Sequence, residues 1–192
     1  MSMSCSLYRL TKAEATSATA YPDAAAELLG YAPAPPKAGL LSKIFGKSKQ
    51  QTPPAREKLS PIGEAETFEL GHAWHILHYL FTGSPEGGPW PAAFIMSGGQ
   101  EVGQDFGYGA PRLFTPEQSQ EVAAFLNAQS LRSLGAAYVP QDIEAAQVYW
   151  KTSTEPAELR RQVEELWTVT QGLQAFFNEP ASARGSILVH IY

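Results

Sequence analysis

Apolar side chains in this chain of 192 residues recur with two periods, and the changes between them divide it into elements. Near the start, Cys5, Leu7 and Tyr8 mark a strand over 3–10. Thr11 caps a short helix to about Ala20, and Pro22 and Asp23 restart another through Leu29, ahead of Gly30. Over 69–82, Leu70, Ala73, Trp74, Leu77, Leu80 and Phe81 share one helical stripe that Gly83 stops. The apolar run 92–96 predicts a strand across 89–96, and the glycine-rich stretch 98–109 predicts a hairpin with Glu101 on one arm. Thr115, Pro116 and Gln118 form a capping box at the head of a helix with Val122, Phe125, Leu126 and Leu134 inward and Gly135 at its end. Asp142 opens a helix to about Trp150, and Pro156 opens a long one to Asn178 with Leu159, Val163, Leu166 and Leu173 on its buried side. The last stretch, 186–192, is nearly continuous in apolar character, which predicts a central strand.

Strands at both ends with helices grouped between them predict an α+β domain over 1–192. The expected sheet is small and mostly antiparallel, contains the N- and C-terminal strands, and carries several helices on one face. Residues 31–61 break the pattern: Pro33, Pro35, Pro36, Pro53, Pro54 and Pro61 bracket a stretch rich in Lys, Ser and Gln, read as a flexible insertion. Inside it, Leu40, Leu41, Ile44 and Phe45 recur at helical spacing beside Lys43 and Lys47. That pattern fits either a solvated linker or a short basic helix that touches a membrane or partner, although one or two turns are not stable alone.

Composition narrows the class. With 44% apolar and 11% aromatic residues the chain has ample material for a packed core, so a wholly disordered reading fails. No apolar stretch approaches the roughly 20 residues of a membrane-spanning helix. The N-terminus has no basic region followed by an apolar run, so neither a secretory signal nor a lipoprotein cysteine at Cys5 is expected. A single cysteine fits a reducing compartment, and the cytoplasm is the expected location. Residues 31–60 carry a net charge of +5 within a chain of −5, which leaves −10 for the body. Such a body repels phosphate backbones, so no nucleic-acid partner is expected for it.

Two groups of residues have the chemistry for a site. His75 and His78 stand one turn apart on the predicted helix, about 60° around its axis. Three readings stay open: a buried His78 hydrogen-bonded within the fold with His75 at the surface, a metal pair, or a cleft acid or base. A metal site needs a third protein ligand, and no HExxH or cysteine cluster supplies one, so no metal and no cofactor are expected. Asp105, Tyr108 and Arg112 lie along the glycine-rich turn. They either gather with His78 in a cleft for a small anion, or Asp105 and Arg112 pair to pin the loop. The glycines match neither a phosphate loop nor a dinucleotide fingerprint, and Ser97 lacks a hydrolase elbow. Trp74, Trp150 and Trp167 read as core, whereas Trp90, between Pro89 and Pro91, suits a binding rim with His75 and Arg112.

Three stretches carry a family likeness. Trp74, His75, His78, Thr82 and Gly83 in one helix, the glycine-rich run from Gly98 through Gly103, Asp105, Gly107, Tyr108 and Gly109 to Pro111 and Arg112, and the late pair Tyr149 and Trp150 together resemble the YfbM-like family of bacterial proteins. Gly71 and His72 depart from the acidic and basic residues more usual before that tryptophan, and the basic loop is longer. The resemblance implies an α+β fold and no agreed activity. With an acidic body and no complete catalytic constellation, the expected function is non-enzymatic protein binding, of the kind that neutralises a toxin by docking a basic partner. The alternative is an enzyme or anion receptor built on His78, Asp105, Tyr108 and Arg112.

Overall fold

Antiparallel pairing of the first and last strands sets the architecture of the computed structural model, which describes residues 3–32, 58–179 and 185–192. Strand β1 (Cys5–Leu10) lies between β5 (Ser186–Ile191) and β2 (Thr67–Gly71), and β5 also pairs with β4 (Arg112–Phe114), whose far neighbour is β3 (Gln100–Glu101). The five strands thus run in the order β2-β1-β5-β4-β3, every pair antiparallel, with β5 at the centre. The amphipathic pattern expected at Leu40, Leu41, Ile44 and Phe45 lies outside the described residues.

Register divides the side chains between two faces. Cys5, Leu7, Ile187, Val189 and Phe114 point to one side, into the larger core beneath α3 (Trp74–Thr82), α4 (Pro116–Asn127), α5 (Leu131–Ala137), α6 (Pro140–Ala145) and α7 (Pro156–Asn178). Leu10, Leu188 and Leu113 point to the other, into a smaller core with Ala15 and Ala18 of α1 (Lys12–Ala20) and Ala25 and Leu28 of α2 (Ala24–Leu28). Helices therefore cover both faces rather than the one expected. A strand flanked by two partners and two helical layers reads as continuously apolar, as β5 does.

Local chemistry explains where the elements begin. Thr11 accepts from the Glu14 amide while the Glu14 carboxylate takes the Thr11 amide, and Thr115 and Gln118 repeat the device at α4. Pro156 occupies the first turn of α7, which spans the 23 residues its periodicity predicts. Four expectations are corrected. The helix predicted from 69 begins at Trp74, because Thr67–Gly71 forms an edge strand along β1 and Gly71 turns the chain at φ +53°. Residues 89–96 form successive turns rather than a strand, with the Ala93 amide on the Pro89 carbonyl at 3.0 Å and the Met96 amide on the Ala93 carbonyl at 3.0 Å. Gly135 lies within a separate helix, since Ser130 caps α5 in a box with Ser133 and so breaks the run after Asn127. The helix expected from Asp142 to Trp150 is the shorter α6, and Gln147 leaves it at φ +54°.

Candidate functional site

Helix α3 follows a tight turn, the Ala73 amide on the Leu70 carbonyl at 3.1 Å, and its apolar spacing turns Trp74, Leu77 and His78 inward. His78 has no exposed surface, and neither of its ring nitrogens has a partner within hydrogen-bond geometry. Burial pulls its pKa down to about 4, against the weaker opposing pull of the Gly87 backbone. One turn back, the Trp74 indole Nε1 is equally buried and unpartnered. His75 has a different role. Its Nδ1 accepts the Tyr149 amide at 2.9 Å, which leaves Nε2 to donate to the Pro85 carbonyl at 3.0 Å, and its ring stacks on Trp74 at 4.8 Å. The side chain fastens three segments, with Nδ1 as acceptor and Nε2 as donor. Among the described residues, no group of three His, Cys, Asp or Glu side chains is placed to hold a metal ion.

The glycine-rich turn holds its polar groups by itself. Asp105 Oδ1 accepts the Gly107 amide at 2.6 Å and the Gly109 amide at 2.9 Å, with both glycines at positive φ. Arg112 does not pair with it. Its guanidinium donates instead to the Phe94 and Gly98 carbonyls, both at 3.2 Å, and to that of Ile95. The turns at 89–96 present carbonyls without ladder partners, and a five-donor planar fork is the side chain suited to gather them. Burial pulls the Arg112 pKa down to about 10, yet the group stays charged at neutral pH. Tyr108 stands 44% exposed at the tip. So His78 is sealed, Asp105 and Arg112 are committed to backbone, and Tyr108 faces solvent.

Trp90, expected on a rim, is half-buried: its indole donates to Glu121 and its ring packs edge-on against Phe114 at 5.3 Å. A Cβ on Gly98 would lie 2.3 Å from that ring, so only glycine lets the Arg112 loop pass beneath it. Cys5 is fully buried, and burial drives its thiol up to about 12, the state of an inert apolar residue.

A second histidine site escaped the sequence reading. On the α1/α2 face, Ser6 pairs with His190 in register, and Tyr31, Phe106 and Tyr192 close over the imidazole. Tyr31 stacks on Phe106 at 4.5 Å, Tyr192 stacks on His190 at 5.2 Å, and the Tyr192 hydroxyl lies 3.3 Å from Ser6 Oγ. His190 is 1% exposed with Nε2 unpartnered, and burial pulls it down to about 4. Its signal was the alternation of β5, in which Leu188, His190 and Tyr192 share one face. Tyr31 and Phe106 arrive from distant loops that no local pattern connects.

Several grooves open among the described residues, two of them beside the sheet. The larger, about 950 Å³, runs between α1, the β3–β4 edge and the start of α4, with Lys12 the one charge in its lining. The other, about 520 Å³, is lined by Tyr8, Leu28, Leu29, Pro61, Ile62, Glu64, Thr67 and Glu69. Neither includes His78, Asp105, Tyr108 or Arg112.

Comparison with known proteins returns the same fold without an activity. The structure matches the crystal structure of YfbM from Escherichia coli, a protein of unknown function, with a TM-score of 0.59 over 98% of this chain and 99% of that one, at 12% sequence identity. No curated protein matches. The family described as "Domain of unknown function (DUF1877)" matches residues 1–190, nearly the whole chain, and the protein belongs to that family.

Proposed function

We propose that this protein is a non-enzymatic docking module that binds a basic protein partner through its acidic body. The observation that carries the reading is the fate of the reactive side chains. His75 fastens Tyr149 and Pro85, Arg112 gathers three carbonyls, Asp105 holds its own turn, and His78 has no exposed surface. General acid–base work needs groups within hydrogen-bond reach of a substrate, and the hydrogen bonds of His75, Arg112 and Asp105 go to the backbone of the scaffold. The alternative, an enzyme or anion receptor at His78, Asp105, Tyr108 and Arg112, lacks a free guanidinium and an open imidazole.

What the surface does offer suits a macromolecule. Tyr31, Tyr108, Tyr149 and Tyr192 are each more than a third exposed, and tyrosine supplies broad contact area at low entropic cost. The charge of −10 outside residues 31–60 would speed association with a basic partner. A toxin neutralised by such docking fits this chemistry and makes the role that of an immunity protein in a bacterial cytoplasm. Among the described residues no helix is long and apolar enough to cross a membrane. Affinity purification after in-cell cross-linking in the native host tests the proposal. A stoichiometric protein of high pI, released as salt shortens the Debye length to a few ångströms at about 1 M, is expected. Recovery of the chain alone, or with a bound metabolite, would remove the reading.

A further inference from the structure

Most carboxylates whose surroundings are described already have partners. Glu66 and Glu179 flank Arg9, Glu158 and Glu165 flank Arg161, Glu14 caps α1, Glu27 accepts the Leu59 amide, Glu121 accepts from Trp90 and Glu144 from Thr152. Glu64 and Glu69 are among the exceptions, with Glu86, Asp142, Glu155 and Glu164, and their shared place sets them apart. Both are exposed, neither forms an ion pair or hydrogen bond among the described residues, and both line the same groove on the α1/α2 side of the sheet.

That groove has more than charge. Leu28, Leu29, Pro61 and Ile62 give it an apolar floor, and the Ile62 amide on the Leu28 carbonyl at 2.9 Å fixes the floor's two halves together. Tyr8 forms the wall toward the His190 cluster and stands within electrostatic range of Tyr31 and Tyr192. We propose that this groove receives a lysine or arginine side chain of a basic protein partner, its alkyl stem on Leu29, Pro61 and Ile62 and its head between Glu64 and Glu69. The inference rests on the docking function above and gives it an address. Long cationic side chains are amphipathic, and a slot pairing an apolar floor with two free carboxylates matches both ends of one. The volume of about 520 Å³ exceeds a lone cation and accommodates a side chain with its backbone. The tyrosines beside it extend the contact to macromolecular size and add ring faces for further cationic groups.

The test titrates the full 15N-labelled chain with a hexa-arginine peptide and follows amide shifts. Shifts gathered on Tyr8 and residues 59–69 are expected. The Glu64→Gln/Glu69→Gln double variant is expected to weaken binding about tenfold, and Glu86→Gln/Glu164→Gln, which removes the same charge elsewhere, less than about twofold. Equal weakening by both variants would reduce the effect to net charge and overturn the groove, as would shifts centred elsewhere. Shifts at the groove produced by raising protein concentration without peptide would make a second copy the occupant and overturn it too. If the groove falls while cross-linking still yields a basic partner, docking stands at another surface; if cross-linking yields none, the functional reading itself falls.

Discussion

Two histidines sit on opposite faces of one sheet, and their likeness makes their difference instructive. His78 and His190 are both buried to within 1% of full burial, both have a ring nitrogen without a partner, and both are pulled to about 4 by burial. His78, however, lies in the larger core, on the inward side of α3, whereas His190 lies under Tyr31, Phe106 and Tyr192, of which Tyr31 and Tyr192 are themselves more than a third exposed. A perturbed pKa alone therefore does not mark a site. What covers them distinguishes the two, since half-open tyrosines lie over His190 on the α1/α2 face.

The largest effect expected is on acid stability, where the two histidines act together. Each has a folded pKa near 4 against an ordinary 6.5, so the unfolded chain takes up protons first as pH falls. Their stabilising contribution is complete above pH 6.5 and is lost as the pH drops toward 4, at roughly 3 kcal/mol per histidine. Denaturant midpoints measured between pH 7.5 and 4 should fall steeply in that window. A flat profile would mean that neither ring is desolvated.

Arg112 comes next, and it tests the larger core alone. Arg112→Leu leaves the Phe94, Ile95 and Gly98 carbonyls without donors and should cost about 3–5 kcal/mol in chemical denaturation. Arg112→Lys should recover only part of that loss, because a point donor cannot span three carbonyls. Loss of partner binding in the lysine variant with stability intact would instead give the guanidinium a role in recognition.

His78→Leu separates the two faces. With no hydrogen bond of good geometry to lose, the substitution should change stability at pH 7 by less than about 1 kcal/mol while halving the loss between pH 6.5 and 4. A larger loss at pH 7, with the acid profile unchanged, would show that His78 holds a polar partner.

What the chain spelled out locally, it also formed. Thr11 with Glu14, Thr115 with Gln118 and Pro156 each start a helix where the capping chemistry places it, and the terminal strands pair as their positions imply. The misses occur where two periods overlap or tertiary partners decide. Leu70 suits a helical stripe as well as the buried side of an edge strand, and β1 settles it. The run 92–96 is apolar enough for a strand, yet its carbonyls turn to Arg112, a partner about 17 residues away that no local pattern announces. The same limit applies to the site. His75 and His78 were visible as a pair on a helix, but Tyr149, Pro85 and the depth of burial were not. His190 went unnoticed because β5 reads as one apolar run until its alternate positions are separated. Glu64 and Glu69 became distinctive only once the groove they share was known.

The most direct measurement is a pH titration of the histidine ring signals by NMR in the native sequence and in Tyr31→Ala. Both His78 and His190 should titrate near 4 in the native chain. Removing the exposed tyrosine should raise His190 by roughly one unit toward its solvated value and leave His78 where it was. A His78 that titrates near 6.5, or that responds to a small anion, would place an open imidazole beside the glycine turn and contradict the docking role.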